Sequence, residues 1–172
     1  MFGLPRYGSS VFLGVLLIPF AGIVSAEDVH LFGQGSYQAI LKENEGQPFL
    51  LSLWSIDCPP CHQEMAMLGK FLKRHPQMKL ILIGTDQRKD LGALKSILDK
   101  YQLGSTQNWV FSQDVPERLR YEIDPRWYGE LPRSYFFDAA HARIAKSGQL
   151  TEEVVMAWWN AVSAKPAAGG SK

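Results

Sequence analysis

Cysteine is scarce in this chain: its 172 residues hold two, Cys58 and Cys61, only three positions apart. A disulfide-stapled secreted domain needs more, and a bridge closing so short a loop removes little entropy from the unfolded chain. The pair is therefore read as chemical rather than structural. There is no second C-x-x-C, and His30, His62, His75 and His141 lack the H-x-x-x-H spacing, so a zinc site would miss half its ligands. A Met/His cluster of the kind a copper or haem handler needs is also missing around the motif. Charge of one sign is lacking too. Against 18 Lys and Arg stand 17 Asp and Glu, a balance that argues against nucleic acid or an anionic membrane surface as partner. The sequence shows no internal repeat.

Long hydrophobic runs are the next absence. The longest, from Val11 to Val24, falls short of the roughly 20 residues that span a bilayer and is interrupted by Gly14, Pro19 and Gly22. Arg6 precedes it, and the small side chains of Val24 and Ala26 follow before Glu27. That order predicts a signal peptide over 1–26, cleaved after Ala26, with an uncleaved membrane anchor as the alternative. Either way the folded part is expected outside the cytoplasm, in the periplasm. Residues 27–164 are expected to form one domain, and the Ala- and Gly-rich 165–172 a disordered tail.

Periodicity predicts strands and helices in alternation, hence an α/β layered fold. Asp28 to Phe32 reads as a short strand and Ser36 to Asn44 as a helix with Tyr37, Ile40 and Leu41 on one face. The apolar run Phe49 to Trp54 reads as a central strand buried on both sides. From Pro59 to His75, Met65, Leu68, Phe71 and Leu72 recur at helical spacing, with prolines in the first turn, where their missing N–H costs nothing. Met78 to Gly84 predicts a second buried strand, and Asp90 to Tyr101 a helix with Leu91, Leu94, Ile97 and Leu98 inward. Then come a strand over 109–112, a helix over 115–122, strands over 135–137 and 142–146, and a closing helix over 151–163 with Val154, Val155 and Trp158 inward.

The C-x-x-C thus falls at a helix start. Thiol–disulfide exchange needs an accessible thiolate to attack and a second thiol to resolve the mixed disulfide. A first cysteine beside the free N–H groups and the positive end of a helix dipole is the better nucleophile. Cys58 is assigned that role, and Cys61 the resolving one.

Phe49-Leu-Leu-Ser-Leu-Trp54-Ser-Ile-Asp-Cys58-Pro-Pro-Cys61-His-Gln-Glu64-Met resembles the active-site segment of the thioredoxin superfamily, in its TlpA-like branch of exported thiol–disulfide oxidoreductases. Gly129-Glu-Leu-Pro132-Arg-Ser-Tyr-Phe-Phe-Asp138 resembles the second signature of that family, and Gly148 before the last helix also fits. The resemblance covers nearly all of 27–163. It implies a thioredoxin-like fold, a central mixed β-sheet flanked by helices. It implies that Pro132 is cis and lies opposite the cysteines, with the backbone of Leu131 offered to a substrate strand. It implies that Glu64 is an acid near the redox site, against a plain exposed helix-face role, and that Trp54 packs beneath the motif.

The departures bear on direction. Asp57 replaces a frequent tryptophan and disfavours a thiolate at Cys58. Pro59 and Pro60 remove two N–H donors. Protonated His62, one helical turn after Cys58, and Arg133 are the cations that would oppose this. Ser52 replaces the buried acid of cytoplasmic thioredoxins, leaving Glu64 as the candidate base for Cys61. The balance favours a reductase of partner disulfides. The resemblance implies a membrane electron donor and targets such as apocytochrome c, copper-site assembly factors or other exported proteins. A thiol oxidase or isomerase is the alternative within this chemistry, and a redox-inactive binding module or metallochaperone the alternative outside it. The reading calls for no cofactor and no metal.

Overall fold

A computed structural model describes residues 29–112 and 115–164 of the chain. The expected leader over 1–26 and the tail from 165 lie outside the described residues. The strands are β1 (His30–Phe32), β2 (Phe49–Trp54), β3 (Leu80–Gln87), β4 (Gln107–Phe111), β5 (Arg133–Phe137) and β6 (Arg143–Ser147). The helices are α1 (Ser36–Glu43), α2 (Pro59–Arg74), α3 (Leu91–Lys100), α4 (Pro116–Ile123) and α5 (Glu152–Ser163). One mixed sheet runs in the order β1-β4-β3-β2-β5-β6. Its first four strands pair in parallel, and β5 and β6 are added antiparallel.

Alternation along the central strands decides which helix packs where, because successive side chains leave opposite faces. Leu50 and Trp54 of β2, Leu80 and Leu82 of β3 and Phe136 of β5 build one apolar cluster with α2, α3 and α5. Leu51, Leu53, Ile81, Ile83, Tyr135 and Phe137 build the other with α1 and α4. With a helix layer on each side, β2 is buried at all six positions, which explains an apolar run without polar alternation.

Both expected limits of β3 shift. Met78 is buried but sits in a turn, its N–H donating to His75 O, and pairing in β3 begins at Leu80. At the other end β3 continues past Gly84 through a bulge: Gly84 pairs with Val110 and Gln87 with Phe111, leaving Thr85 and Asp86 as extra residues. The inward face of α5 is also corrected. Val155 and Trp159 are its buried residues, whereas Val154 and Trp158 are half-buried at the margin of the core.

At Gly69 a close approach requires glycine, since a Cβ there would run into the carbonyl oxygen of Tyr101. That contact brings the end of α3 down onto α2 and delivers Tyr101 to the C-x-x-C segment. Among the described residues no helix is long and apolar enough to cross a membrane.

Candidate active site

β2 runs out of the sheet straight into the motif, and Cys58 becomes the N-cap of α2 in extended backbone conformation. The two cysteines are joined by a disulfide, with Cα atoms 5.2 Å apart. Cys58 is 8% exposed and Cys61 1%, so the sulfur that a partner reaches is that of Cys58. Prolines at the first two helical positions leave Cys61 as the first residue with a free N–H, and it donates to Cys58 Sγ at 3.3 Å. Cys58 O accepts from Cys61 N at 3.0 Å and His62 N at 3.2 Å, which closes the first turn.

His62 is not turned to the sulfur. Its Nε2 lies 2.7 Å from Ile56 O, and its Nδ1 lies 3.3 Å from Tyr101 Oη. A carbonyl only accepts, so Nε2 carries a proton and donates to Ile56 O, which leaves Nδ1 to Tyr101 Oη. Arg133 is engaged elsewhere as well. Its guanidinium donates to Asp124 Oδ2 at 3.0 Å, Tyr135 Oη at 3.1 Å, Glu130 Oε1 at 3.3 Å and Ser147 Oγ at 2.5 Å. Neither expected cation makes a hydrogen bond to Cys58.

Pro132 follows a cis peptide bond from Leu131, as the resemblance implied. Because β5 runs antiparallel to β2 and pairs Arg133 with Leu53, Pro132 enters the sheet at the end where β2 delivers the cysteines. Its carbonyl accepts from Gly148 N at 2.9 Å, and Gly148 takes φ +80° to reach it. Among the described residues the backbone of Leu131 makes no hydrogen bond. The cis turn is tied down through Asp124, a buried carboxylate at the end of α4. Burial pushes the Asp124 carboxyl up, but the Arg126 N–H, Arg133, Tyr135 and Arg143 together bring it below the usual aspartate range. Burial above all lifts the Tyr135 hydroxyl to about 12, and it stays a donor to Asp124.

Glu64 is the least expected arrangement. It sits one helical turn past Cys61 and is 1% exposed, so the exposed helix-face reading is excluded. Its Oε1 accepts from Ser52 Oγ at 2.8 Å and Ser134 Oγ at 3.3 Å, and its Oε2 from Leu150 N at 2.8 Å. Ser52 and Ser134 are directly paired across β2 and β5 and face α2. Burial raises the Glu64 carboxyl above the usual range, and the Leu150, Ser52 and Ser134 donors pull back against it without cancelling it. The buried acid that Ser52 lacks is thus supplied from α2 and held by Ser52 itself.

A 62-residue stretch, 36% of the chain, is 34% identical to the soluble secreted antigen MPT53 of Mycobacterium tuberculosis and of Mycobacterium bovis. That match spans about a third of the length of these relatives, 35%. No protein-family model matches the chain. Among solved structures, a secreted M. tuberculosis disulfide oxidoreductase homologous to E. coli DsbE superposes with TM-score 0.57 at 21% identity, over 70% of this chain and 85% of that one. StoA from Bacillus subtilis gives 0.52 at 24% identity, over 67% and 84%. A secreted thiol-disulfide isomerase from Corynebacterium glutamicum gives 0.56 at 16%, over 73% and 75%.

The fold is thioredoxin-like. In this thioredoxin-like frame Cys58 and Cys61 follow the end of β2, Pro132 precedes β5 at that same end, and Glu64 lies one turn along α2 over Ser52 and Ser134. Sequence reading missed Asp86, Tyr101 and Ser134. Asp86 accepts from Ile56 N at 3.0 and 3.2 Å, through a bulge that leaves no mark in hydrophobic periodicity. Ser134 had a signal, a small hydroxyl side chain just before the aromatic run Tyr135 to Phe137.

Proposed function

We propose that the chain is an exported thiol–disulfide oxidoreductase working as a reductase of partner disulfides. The observation that carries this is the Cys58–Cys61 disulfide at the start of α2, with the less buried sulfur at the N-cap. In the reduced protein the Cys58 thiolate attacks one sulfur of a partner disulfide. The partner S–S bond breaks, a mixed disulfide forms, and the departing partner sulfur takes up a proton. Cys61 then loses its proton and attacks Cys58 Sγ. This restores the Cys58–Cys61 bond and releases the second partner thiol, so two electrons pass to the partner. Glu64, one turn along α2, is the base for the Cys61 proton, and burial raises its affinity for that proton. The unpaired backbone of Leu131 before cis-Pro132 receives the partner strand.

Support for the reducing direction comes from the donors at Cys58. Among the described residues only the Cys61 N–H reaches its sulfur, Pro59 and Pro60 offer none, and Asp57 stands exposed beside it. A poorly stabilised thiolate favours the disulfide and makes the dithiol a stronger reductant. Electrons come from a membrane dithiol donor, and the targets are exported proteins such as apocytochrome c or copper-site assembly factors. Redox titration is expected to give a potential below about −200 mV. A value well above it assigns the oxidase or isomerase role instead. Cys61→Ser is expected to accumulate mixed disulfides with partners; if Cys58→Ser captures them instead, the roles of the cysteines are reversed.

A further inference from the structure

The segment between β2 and Cys58 is held by side chains rather than by the sheet. Thr85 Oγ1 donates to Trp54 O at 3.2 Å, and both Asp86 carboxylate oxygens lie within reach of Ile56 N, at 3.0 and 3.2 Å. His62 Nε2 takes Ile56 O at 2.7 Å. Both polar backbone groups of Ile56, two residues before the nucleophile, are therefore fixed. Thr85 and Asp86 are the two residues that the bulge in β3 leaves unmatched to β4. Bulges gather beside functional sites because they re-aim a side chain, and a regular β3 would set Thr85 opposite Phe111 and Asp86 opposite Ser112 in the ladder.

The Asp86 carboxyl is half-buried, and its burial, followed by the Ile56 N–H and the charges of Asp90 and Asp57, sets its affinity for a proton. Burial raises it, the N–H lowers it, and the two neighbouring carboxylates raise it again.

We propose that Asp86 is a positioning residue of the redox centre, its carboxylate gripping the Ile56 N–H so that the loop presents Cys58 Sγ in line for attack. This rests on the oxidoreductase reading. What Asp86 supplies is an acceptor at a fixed place, so Asn at the same position keeps the function and Ala loses it.

The test uses the full chain in its reduced form, comparing wild type, Asp86→Asn and Asp86→Ala. Two readouts are taken: hydrogen exchange of the Ile56 amide, and kcat and KM for reduction of insulin disulfides. In D86A we expect Ile56 exchange to rise and kcat to fall, each by about tenfold, with KM and D86N values staying within about twofold of wild type. If D86A does not fold, Asp86→Ser replaces it, its side chain being too short to span to Ile56. Unchanged exchange in D86A overturns the grip, faster exchange with unchanged kcat overturns its role in aiming Cys58, and a D86N defect as large as that of D86A overturns the acceptor argument. Wild-type protein that reduces no disulfide sinks the oxidoreductase reading itself, while the exchange data still report whether Asp86 holds Ile56.

Discussion

Glu64 shows how a single side chain ties the redox helix to its surroundings. It draws together α2, the facing serines of β2 and β5, and the loop that starts α5. The spacing from Cys61 was plain in the sequence, and so was an apolar strand with one serine. That these two facts answer each other was not legible, because Ser134 lies 70 positions from Glu64 and the pairing register that brings Ser134 opposite Ser52 is tertiary information. Glu64→Gln keeps the shape, with its amide oxygen facing Leu150 N and its NH2 the serines. It is expected to slow resolution of mixed disulfides by about 100-fold and to flatten the pH dependence of that step, read by single-turnover kinetics. Stability responds with a definite sign. The folded carboxyl holds its proton more tightly than the unfolded one. Its contribution is therefore fully present below the ordinary Glu range and lost as pH rises through the raised folded value. E64Q is accordingly expected to be more resistant to urea than wild type at pH 8, and to lose that advantage at pH 4.

Among the elements, α2 was the most legible: its prolines, apolar stripe and last turn stand as the sequence predicts. Its neighbours were less so. The bulge in β3 and the approach of α3 depend on Gly84, Gly69 and backbone geometry rather than on any periodic pattern. Gly69→Ala forces Tyr101 away from α2 and is expected to cost about 2 kcal/mol by overpacking. Loosening of the Tyr101–His62 contact, seen in the His62 ring signals by NMR, accompanies it. The cis-Pro132 turn has its own anchor in Asp124, whose charge pairs with Arg133 and Arg143. Asp124→Ala leaves those guanidinium groups without their buried partner and is expected to cost about 3 kcal/mol in urea unfolding. The pH sign here is opposite to that of Glu64. The Asp124 carboxyl lies below its ordinary range when folded, so its contribution is present above that range and is lost as pH falls through the lowered value.

For the whole molecule, the layered α/β order was readable because strand and helix periods differ and the two alternate along the chain until β5, which β6 follows directly. Strand order was not, since nothing local states that β4 lies between β1 and β3. The site straddles two neighbouring central strands, one delivering the cysteines and the other the cis proline, and both are buried between helix layers. Such a site has little freedom to open or to mould itself. Under the proposed function the adjusting falls to the partner, whose disulfide must lie on a segment loose enough to be drawn out beside Leu131. Discrimination then turns on the partner's own stability: we expect chains that have not yet folded to outcompete the same chains once folded, and equal rates on both forms would speak against a rigid site. On the proposed function, two paired strands would make the protein a sensor of unfinished folding as much as a donor of electrons.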